Sequence, residues 1–398
     1  MRSAAALDGL KVVEFAHIIA GPLAGVLMAD LGAEVIHVED PGEGDPHRSA
    51  GPAKDGTHLW WKVAARNKRS VTLNLRTEEG RRLARELVRW SDVVITNFRV
   101  STLERWGLDW ASLHELKHDL VMLQVTGYGA TSSRRDEPGF GKVAEAMSGV
   151  VELTGFPDGP PVHTGFSHGD SVAGLMGAFA VQAALYRKAH DPGFDGEWID
   201  LALYDALYRL VEWQVVVQDQ LGGDATRAGN RLAVAPAAVI NVYRTGDDRW
   251  LTVTSGTPRA VRKVAALLGE RAEDYATREQ QHERRGRLDA LLAEWVGERT
   301  VEECLDAMVE LGVVAAPIHT ARDILEDPLF EERRSVVSVP DTELGTLRMQ
   351  GVVPAMTNHP GSVRHPGPGL GADNDLVYGR YLARSAERIA ELRAEGVI

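Results

Sequence analysis

The segment between Gly165 and Tyr186 constrains the fold more than any other part of the sequence. From Val172 to Leu185 the only polar side chain is Gln182. A helix that is apolar on every side has to be buried, so we expect this segment to form a central helix of the core. Asp170 then lies at or near the N-terminus of that helix. Unpaired backbone N–H groups and the positive end of the helix dipole favour its charged form there.

Two roles are open for Asp170 on these residues alone. An aspartate at a helix start is most often a cap that accepts hydrogen bonds from the backbone. A carboxylate held among glycines, which let a ligand approach closely, can also act as a nucleophile toward an activated acyl group.

A rival nucleophile in the same segment is Ser167. Residues 165–169 fit the G-x-S-x-G pattern of the α/β-hydrolase elbow. That elbow needs a buried strand leading into the turn, whereas the approach to Ser167 contains Pro160 and Pro161 and makes a poor central strand. A serine hydrolase that uses Ser167 is the alternative that this pattern leaves open.

The composition excludes several classes of protein. A chain of 398 residues predicts two domains, and the net charge of −13 argues against a nucleic-acid-binding surface. The single cysteine, Cys304, excludes disulfides within the chain, and the histidines have no metal-ligand spacing. No apolar run has the length of a membrane span, and the first residues are too short for a signal peptide. We expect a soluble cytoplasmic protein.

The first half of the chain predicts a parallel α/β sheet. A strand at Leu10–Phe15, a helix at 21–31 and a strand at Glu34–Glu39 form a βαβ unit. The first turn lacks the G-x-G-x-x-G fingerprint, so a nicotinamide cofactor is not expected. The further strands of this part are predicted at 71–75, 92–96, 120–125 and 198–203.

Arginines and aromatic residues cluster after these predicted strands. Ligands of open α/β sheets bind at the carboxyl ends of the strands. Asn97, Phe98 and Arg99, with Arg76 and Arg105, are therefore candidates for a phosphate-binding rim, and a solvated surface is the alternative for each arginine.

The second half of the chain predicts a smaller domain followed by a return segment. A long helix is predicted at 204–221, and glycines break the pattern soon after it. A hairpin at 239–254, several helices and a capping box of Thr300 and Glu303 predict an α+β domain. We assign residues 1–224 to a large domain, 225–327 to the small domain and 328–398 to a segment that completes the large one.

With these elements in view, the chain resembles the class III CoA-transferases, the family of formyl-CoA transferase, carnitine CoA-transferase and the α-methylacyl-CoA racemases. The resemblance runs almost end to end and is densest in the first 200 residues. It is carried by the segments 7–12, 15–17, 20–22, 32–36, 44–48, 67–70, 92–94, 97–98 and 155–161 and by Gly169-Asp170.

The resemblance implies a fold, a partner and a mechanism. It implies a Rossmann-like large domain built from both ends of the chain, an inserted small α+β domain and an interlocked homodimer. The family's nucleophile falls on Asp170, which would form an acyl anhydride and then an aspartyl-CoA thioester. Acyl-CoA and a small carboxylic acid are then the substrates, and no prosthetic group is expected. The alternatives are a serine hydrolase that cleaves acyl-CoA thioesters with Ser167, and a protein that binds CoA without transferring it.

The family's CoA contacts transfer to ten positions of this sequence. They are Ile19, Ala20, Leu73, Arg76, Asn97, Phe98, Arg99, Arg105, Gly139 and Phe140. Two departures matter. Asp40 stands where formyl-CoA transferase has an arginine, and residues 254–258 lack its run of glycines, so oxalate and formate are not the expected substrates.

The loop at 138–146 separates this chain from the racemases. Phe140 and Gly141 stand where the racemases need a His-Asp pair, so proton abstraction is not expected. The loop looks more like members that move CoA between dicarboxylic acids such as succinate, mesaconate, malate or citramalate. Lys142 is then either a ligand for a distal carboxylate or a solvated lysine. His17 and His168 are expected to be structural hydrogen-bonding residues.

Overall fold

The computed structural model describes residues 4–223, 226–231, 239–255 and 257–398. The expected domain boundary at residues 224 and 225, and the glycine at position 256 of the 254–258 loop, lie outside these residues. The strands are, in chain order, β1 (Lys11–Phe15), β2 (Glu34–Glu39), β3 (Ala53–Lys54), β4 (Thr57–His58), β5 (Arg69–Thr72), β6 (Val93–Thr96), β7 (Val121–Thr126), β8 (Glu197–Ala202), β9 (Val239–Arg244), β10 (Trp250–Ser255), β11 (Val314–Pro317), β12 (Val336–Asp341) and β13 (Gly345–Gln350).

The α-helices flank and connect these strands. They are α1 (Ala20–Asp30), α2 (Leu59–Ala64), α3 (Glu78–Trp90), α4 (Val100–Trp106), α5 (Trp110–Leu116), α6 (Gly141–Met147), α7 (Val150–Leu153), α8 (His168–His190), α9 (Leu203–Tyr208), α10 (Gln214–Leu221), α11 (Pro258–Leu267), α12 (Arg278–Gly297), α13 (Val301–Leu311), α14 (Ala321–Glu326), α15 (Pro328–Glu332) and α16 (Ala386–Ala394). Short 3₁₀ helices lie at Pro46–Ser49 and Ala272–Tyr275, and a π-helical segment at Asp375–Tyr381.

A six-stranded sheet in the order β5-β2-β1-β6-β7-β8 forms the centre of the fold, and all of its pairings are parallel. The predicted βαβ unit is confirmed, with β1 and β2 as neighbours joined through α1. Every residue of β6 and β7 is buried, which is why these strands read as continuous apolar runs in the sequence.

Helices cover both faces of this sheet. Val12 packs in a core with α1 and α8, and the next residue, Val13, packs in a second core with α3 and α16. Because successive side chains of a strand point to opposite faces, the two cores lie on opposite sides of the sheet. The expected α/β architecture with a parallel sheet is therefore confirmed.

The expectation that the apolar segment is buried on every side is wrong for the single chain. The segment does form a helix, α8, and Ala173, Gly177 and Val181 face the core. The opposite face is open: Phe179 is 72% exposed and Tyr186 is 69% exposed. One sheet face can cover only one side of a helix, and α8 projects the other side outward.

The predicted long helix at 204–221 is also wrong, because it consists of two helices. α9 ends at Tyr208 and α10 begins at Gln214. Between them the backbone bonds of Leu210 and Val211 reach back three residues instead of four, which tightens and ends the first helix.

The C-terminal segment protects the edge of the sheet at β5. The amide N–H groups of Ser70 and Thr72 donate to the side chains of Asp373 and Asn374, at 3.0 Å and 2.9 Å. The hydroxyl of Tyr378 donates to the carbonyl of Thr72 at 2.7 Å. These contacts satisfy groups that an unpaired edge strand would leave open.

The chain divides into two compact units. The first comprises residues 1–150, 164–212 and 328–398, and the second comprises 151–163 and 213–327. In the second unit the β9–β10 hairpin and the capping box of Thr300 and Glu303 are confirmed, and β11 pairs antiparallel with β10. None of the described helices combines the length and the apolar character needed to cross a membrane.

Candidate active site

A cavity of about 240 Å³ lies at the carboxyl ends of β1, β6 and β7. This is the edge at which parallel sheets bind ligands, because the turns after neighbouring strands meet there. Its lining residues are His17, Ile18, Ile19, Ala20, Asn97, Phe98, Arg99, Val125, Thr126, Gly127, Arg135, Glu137, Pro138, Gly139, Phe140, Asp170 and Leu203.

Asp170 is the carboxylate that α8 supplies to this cavity. It is the third residue of the helix, and the N-cap position belongs to Ser167, whose side chain makes no capping bond. Of the two roles left open for Asp170, the capping role is therefore not supported. No hydrogen bond reaches its carboxylate from any residue that the structure describes.

The electrostatics of Asp170 follow from this placement. Burial, followed by the nearby charge of Glu145, raises the pKa of Asp170 from 3.8 to about 6, and Lys142 opposes the shift. The carboxylate is still mostly ionised at neutral pH, as expected, but the helix start does not hold its pKa low. The Asp170 carboxylate therefore has few stabilising interactions that would be lost when it reacts.

Gly141 determines how closely the loop before α6 approaches the carboxylate. A Cβ at this position would overlap the Asp170 side chain, at 2.8 Å from its Cγ. A few residues earlier, the backbone of Gly139 touches that of Gly127, so neither position has room for a side chain. The glycines of this loop therefore allow one wall of the cavity to close on Asp170.

Glu145 is a residue of this region that the sequence analysis missed. Its side chain is 1% exposed, accepts the backbone N–H of Gly169 at 3.3 Å, and pairs with Lys142 at 3.0 Å. The Lys142 ammonium also donates to the carbonyls of Thr164 and Phe166, at 2.9 Å and 3.1 Å. Lys142 is thus held by internal acceptors and does not line the cavity. Of its two open roles, that of a ligand for a distal carboxylate therefore has no support in this geometry. The i,i+3 spacing of Lys142 and Glu145 was the available signal.

Most of the expected CoA contacts lie in the cavity with Asp170. Those that line it are Ile19, Ala20, Asn97, Phe98, Arg99, Gly139 and Phe140. The Asn97 side chain already has partners: it accepts the His17 N–H at 2.9 Å and donates to the His17 carbonyl at 2.8 Å. Asn97 therefore joins the turns after β1 and β6 and shapes the cavity through His17.

A neighbouring cavity of about 230 Å³ shares His17 and Phe98 with the first and is lined by Leu73 and Arg76. Asp40 also lines it and pairs with Arg76 at 2.5 Å. Asp40, which stands where formyl-CoA transferase has an arginine, thus holds one of the candidate phosphate-binding arginines.

Arg105 is the expected contact that the fold does not bring to either cavity. It lies on the exposed side of α4, where it donates to Thr102 at 3.2 Å. The cavity contains a different cation, Arg135, which the resemblance did not indicate.

The histidines expected to be structural behave differently from that expectation. His17 lines both cavities and packs edge-on against Phe98, with ring centroids 4.6 Å apart. Burial lowers its pKa. The Nδ1 atoms of His17 and His168 are buried and have no hydrogen-bond partner among the described residues.

The surroundings of Ser167 do not form a hydrolase elbow. Residues 157–167 contain no strand, so no sheet strand leads into the serine. Ser167 is not one of the residues that line the cavity around Asp170. The geometry that exposes the serine in the α/β-hydrolases is missing from this described segment.

Comparison with known proteins gives a consistent result. Residues 7–374 match the sequence model of the family described as CoA-transferase family III. The succinyl-CoA–D-citramalate CoA-transferase of Chloroflexus aurantiacus is 40% identical, over 98% of both chains. The beta subunit of succinyl-CoA–L-malate CoA-transferase from the same organism is 35% identical, again over 98% of both chains.

A solved structure has the same fold. The crystal structure of a CAIB/BAIF family protein from Brucella suis superposes with a TM-score of 0.84 and 31% identity, covering 95% of this chain and 99% of that one.

Proposed function

The chain belongs to CoA-transferase family III, and from this premise we propose that it moves CoA from succinyl-CoA, or another dicarboxylyl-CoA, to a dicarboxylic acid, with Asp170 as the nucleophile. The observation that carries the proposal is the position of Asp170. Its carboxylate shares one cavity with seven of the expected CoA contacts: Ile19, Ala20, Asn97, Phe98, Arg99, Gly139 and Phe140.

The proposed reaction proceeds through two covalent forms of Asp170. The carboxylate attacks the thioester carbonyl of the donor, so a mixed anhydride forms and CoA leaves as the thiolate. The thiolate then attacks the aspartyl carbonyl, which gives an aspartyl-CoA thioester and releases the donor acid. The acceptor carboxylate then attacks the aspartyl-CoA thioester, which gives a second mixed anhydride and releases the CoA thiolate. The thiolate attacks the acyl carbonyl of the acceptor, so the new CoA ester forms and Asp170 leaves as a free carboxylate.

The surroundings of Asp170 suit this chemistry. A carboxylate with a pKa of about 6 is ionised at neutral pH and is more basic than an ordinary aspartate. Because the described residues donate no hydrogen bond to it, attack does not require an existing bond to break. The anhydride is neutral at the aspartyl side, so its formation also relieves the repulsion from Glu145.

The proposed substrate class rests on the relatives and on the charge of the cavity. The two relatives described above act, by their names, on succinyl-CoA with D-citramalate or L-malate. Arg99 and Arg135 supply the positive charge of the lining, which suits CoA phosphates and the second carboxylate of such an acid.

We also propose that the active form is a homodimer, interlocked as in the family, in which a second copy covers the open face of α8. Leu175, Phe179 and Tyr186 form an exposed apolar surface on this helix, and such surfaces on soluble proteins commonly mark interfaces. In this proposal residues 1–224 and 328–398 carry CoA binding and the nucleophile, and 225–327 form the smaller domain.

A transfer assay tests the proposed function. Wild-type protein with succinyl-CoA should convert D-citramalate, L-malate or mesaconate to the CoA ester. Asp170→Asn should reduce that rate by about a thousandfold or more, since the nucleophile is lost. Ser167→Ala is the matched control and should keep most of the rate. Hydrolysis without transfer, abolished by Ser167→Ala, would contradict the proposal.

A further inference from the structure

The backbone of Ile18 adopts a conformation that its side chain disfavours. Its φ angle is +66°, in the left-handed region. A β-branched residue rarely adopts this region, because its side chain meets the backbone there, and such strain persists only where the surroundings impose it. Ile18 lines the cavity that contains Asp170, so the strain lies in the candidate active site.

Two buried side chains hold the Ile18 backbone. Both carboxylate oxygens of Asp45 accept its N–H, each at 3.1 Å. On the other side, the Nδ1–H of His47 donates to its carbonyl at 2.6 Å. Asp45 is 1% exposed and His47 is 2% exposed, so water does not compete for these bonds.

Asp45 is the first of a row of four buried charged side chains, which continues through His37 and Glu14 to Lys68. Nε2 of His37 lies 3.2 Å from Asp45, and its Nδ1 lies 2.5 Å from Glu14. The ammonium of Lys68 donates to both oxygens of Glu14, at 2.7 Å and 2.9 Å, and to the carbonyl of Pro22 in α1 at 2.7 Å. The four side chains are each at most 2% exposed.

The charges of this row support one another. Burial alone would lower the pKa of His37, but its close contacts with the carboxylates of Asp45 and Glu14 outweigh burial and raise the pKa to about 9. Burial likewise opposes the charge of Asp45, and the nearby positive charge of His37, together with the backbone N–H of His47, overcomes burial and lowers the pKa of Asp45. His37 is therefore a cation at neutral pH and Asp45 an anion.

The segment that follows Ile18 is part of the candidate site. Ile19 occupies the N-cap position of α1 and Ala20 begins the helix. Within the described part of the chain, the backbone N–H groups of Ile19 and Ala20 have no hydrogen-bond partner. These two residues line the cavity of Asp170 and are proposed CoA contacts. The direction of their N–H groups depends on the Ile18 backbone, because a change in its φ and ψ rotates the next peptide.

We propose that Asp45 is a positioning residue for the CoA-transfer reaction: held by His37, Glu14 and Lys68, it keeps Ile18 in its strained conformation and thereby fixes the backbone of Ile19 and Ala20 beside Asp170. This inference rests on the proposed function. It gives the row of Asp45, His37, Glu14 and Lys68 a role in orienting backbone groups of the candidate site. Backbone donors placed in advance stabilise the oxyanions of acyl transfer better than donors that must reorganise.

The first test is Asp45→Asn, which keeps the size of the side chain and loses its charge. We expect kcat for CoA transfer to fall ten- to a hundredfold, while KM for succinyl-CoA changes less than threefold, because orientation matters most in the transition state. The control is Asp341→Asn, which removes another buried carboxylate, 4% exposed and 2.9 Å from Lys62. It should lower the melting temperature comparably and leave kcat within twofold.

The second test uses the strain itself. Glycine adopts a positive φ without cost, so Ile18→Gly makes the support of Asp45 less necessary. The kcat lost on Asp45→Asn should therefore be at least threefold smaller in the Ile18→Gly background than in the wild type. A merely structural role of Asp45 would give the same loss in both backgrounds.

A third variant covers the case in which Asp45→Asn does not fold. His37→Gln leaves Asp45 in place but removes its cationic partner, and kcat should fall in the same direction.

Three results would overturn the inference: a loss in Asp45→Asn no larger than in Asp341→Asn, equal losses in both backgrounds, or unchanged kcat in His37→Gln. Absence of CoA transfer in the wild type would instead refute the proposed function on which the inference rests.

Discussion

The carboxylate of Asp170 has lost most of its water and lies near a second buried carboxylate, that of Glu145. Its charge is therefore less stable in the folded protein than in the unfolded chain. We expect the protein to be less stable at neutral pH because of this residue, as is common where a site needs a reactive group.

Replacement of Asp170 should stabilise the protein. The pKa of Asp170 is about 6 in the folded state and near 3.8 in the unfolded state, so its contribution is favourable below pH 3.8 and is lost as the pH rises to 6. Asp170→Asn should raise the free energy of unfolding by about 1–3 kcal/mol at pH 7 and not at pH 3.5. Urea denaturation at both values measures this. Asp45→Asn is the control and should lower the free energy of unfolding at pH 7, because folding lowers the pKa of Asp45.

The same pKa predicts the pH dependence of the reaction. Because only the carboxylate form attacks, kcat/KM should rise about tenfold per pH unit below pH 6 and level off above it. Glu145→Gln removes the neighbouring negative charge and should shift the midpoint to lower pH. A midpoint that stays in place in Glu145→Gln would show that Asp170 is not the group that titrates.

Gly141 offers a test of the cavity wall in which the nucleophile itself is not substituted. A Cβ at this position overlaps the Asp170 carboxylate, so Gly141→Ala has to displace either the loop or the carboxylate. We expect kcat to fall by about a hundredfold. The free energy of unfolding should change little, because alanine is favourable at the first position of α6. Equal activity in steady-state assays of the two proteins would contradict the geometry.

At the scale of elements, the sequence predicts the positions of the buried strands well, but it does not predict which helix faces are exposed. β6 and β7 were identifiable because all their residues are buried, and α1 followed from Pro22 in its first turn. The pattern of α8 could not reveal its open face, since residues that a second copy would cover in the proposed homodimer have the same composition as core residues.

The interface proposed for α8 leads to a prediction about assembly. Phe179→Glu places a charge on the open face, and burying an unpaired charge costs more than the lost contact. We expect light scattering to show a dimer for the wild type and a monomer for Phe179→Glu. Leu329→Glu, at a 55% exposed leucine of α15, is the control and should leave the mass unchanged. A monomeric wild type would refute the proposed homodimer.

At the scale of the molecule, the sequence predicted which segments lie next to one another, but not which side chains contact each other. The rule that ligands bind after parallel strands selected Asn97, and the family resemblance selected Ile19 and Gly139. These three residues lie in one cavity. Arg105 lies outside both cavities, because it projects from the exposed side of α4. The row from Lys68 to Asp45 was missed because it depends on the register of β1, β2 and β5, which the sequence does not specify.

The covalent state of Asp170 during turnover tests the central claim most directly. The protein is incubated with succinyl-CoA and treated with borohydride, which reduces an aspartyl thioester, and the modified peptide is located by mass spectrometry. We expect reduction at Asp170, absent in Asp170→Asn and present in Ser167→Ala. Label on Ser167, or CoA transfer at full rate with no modification of Asp170, would contradict it.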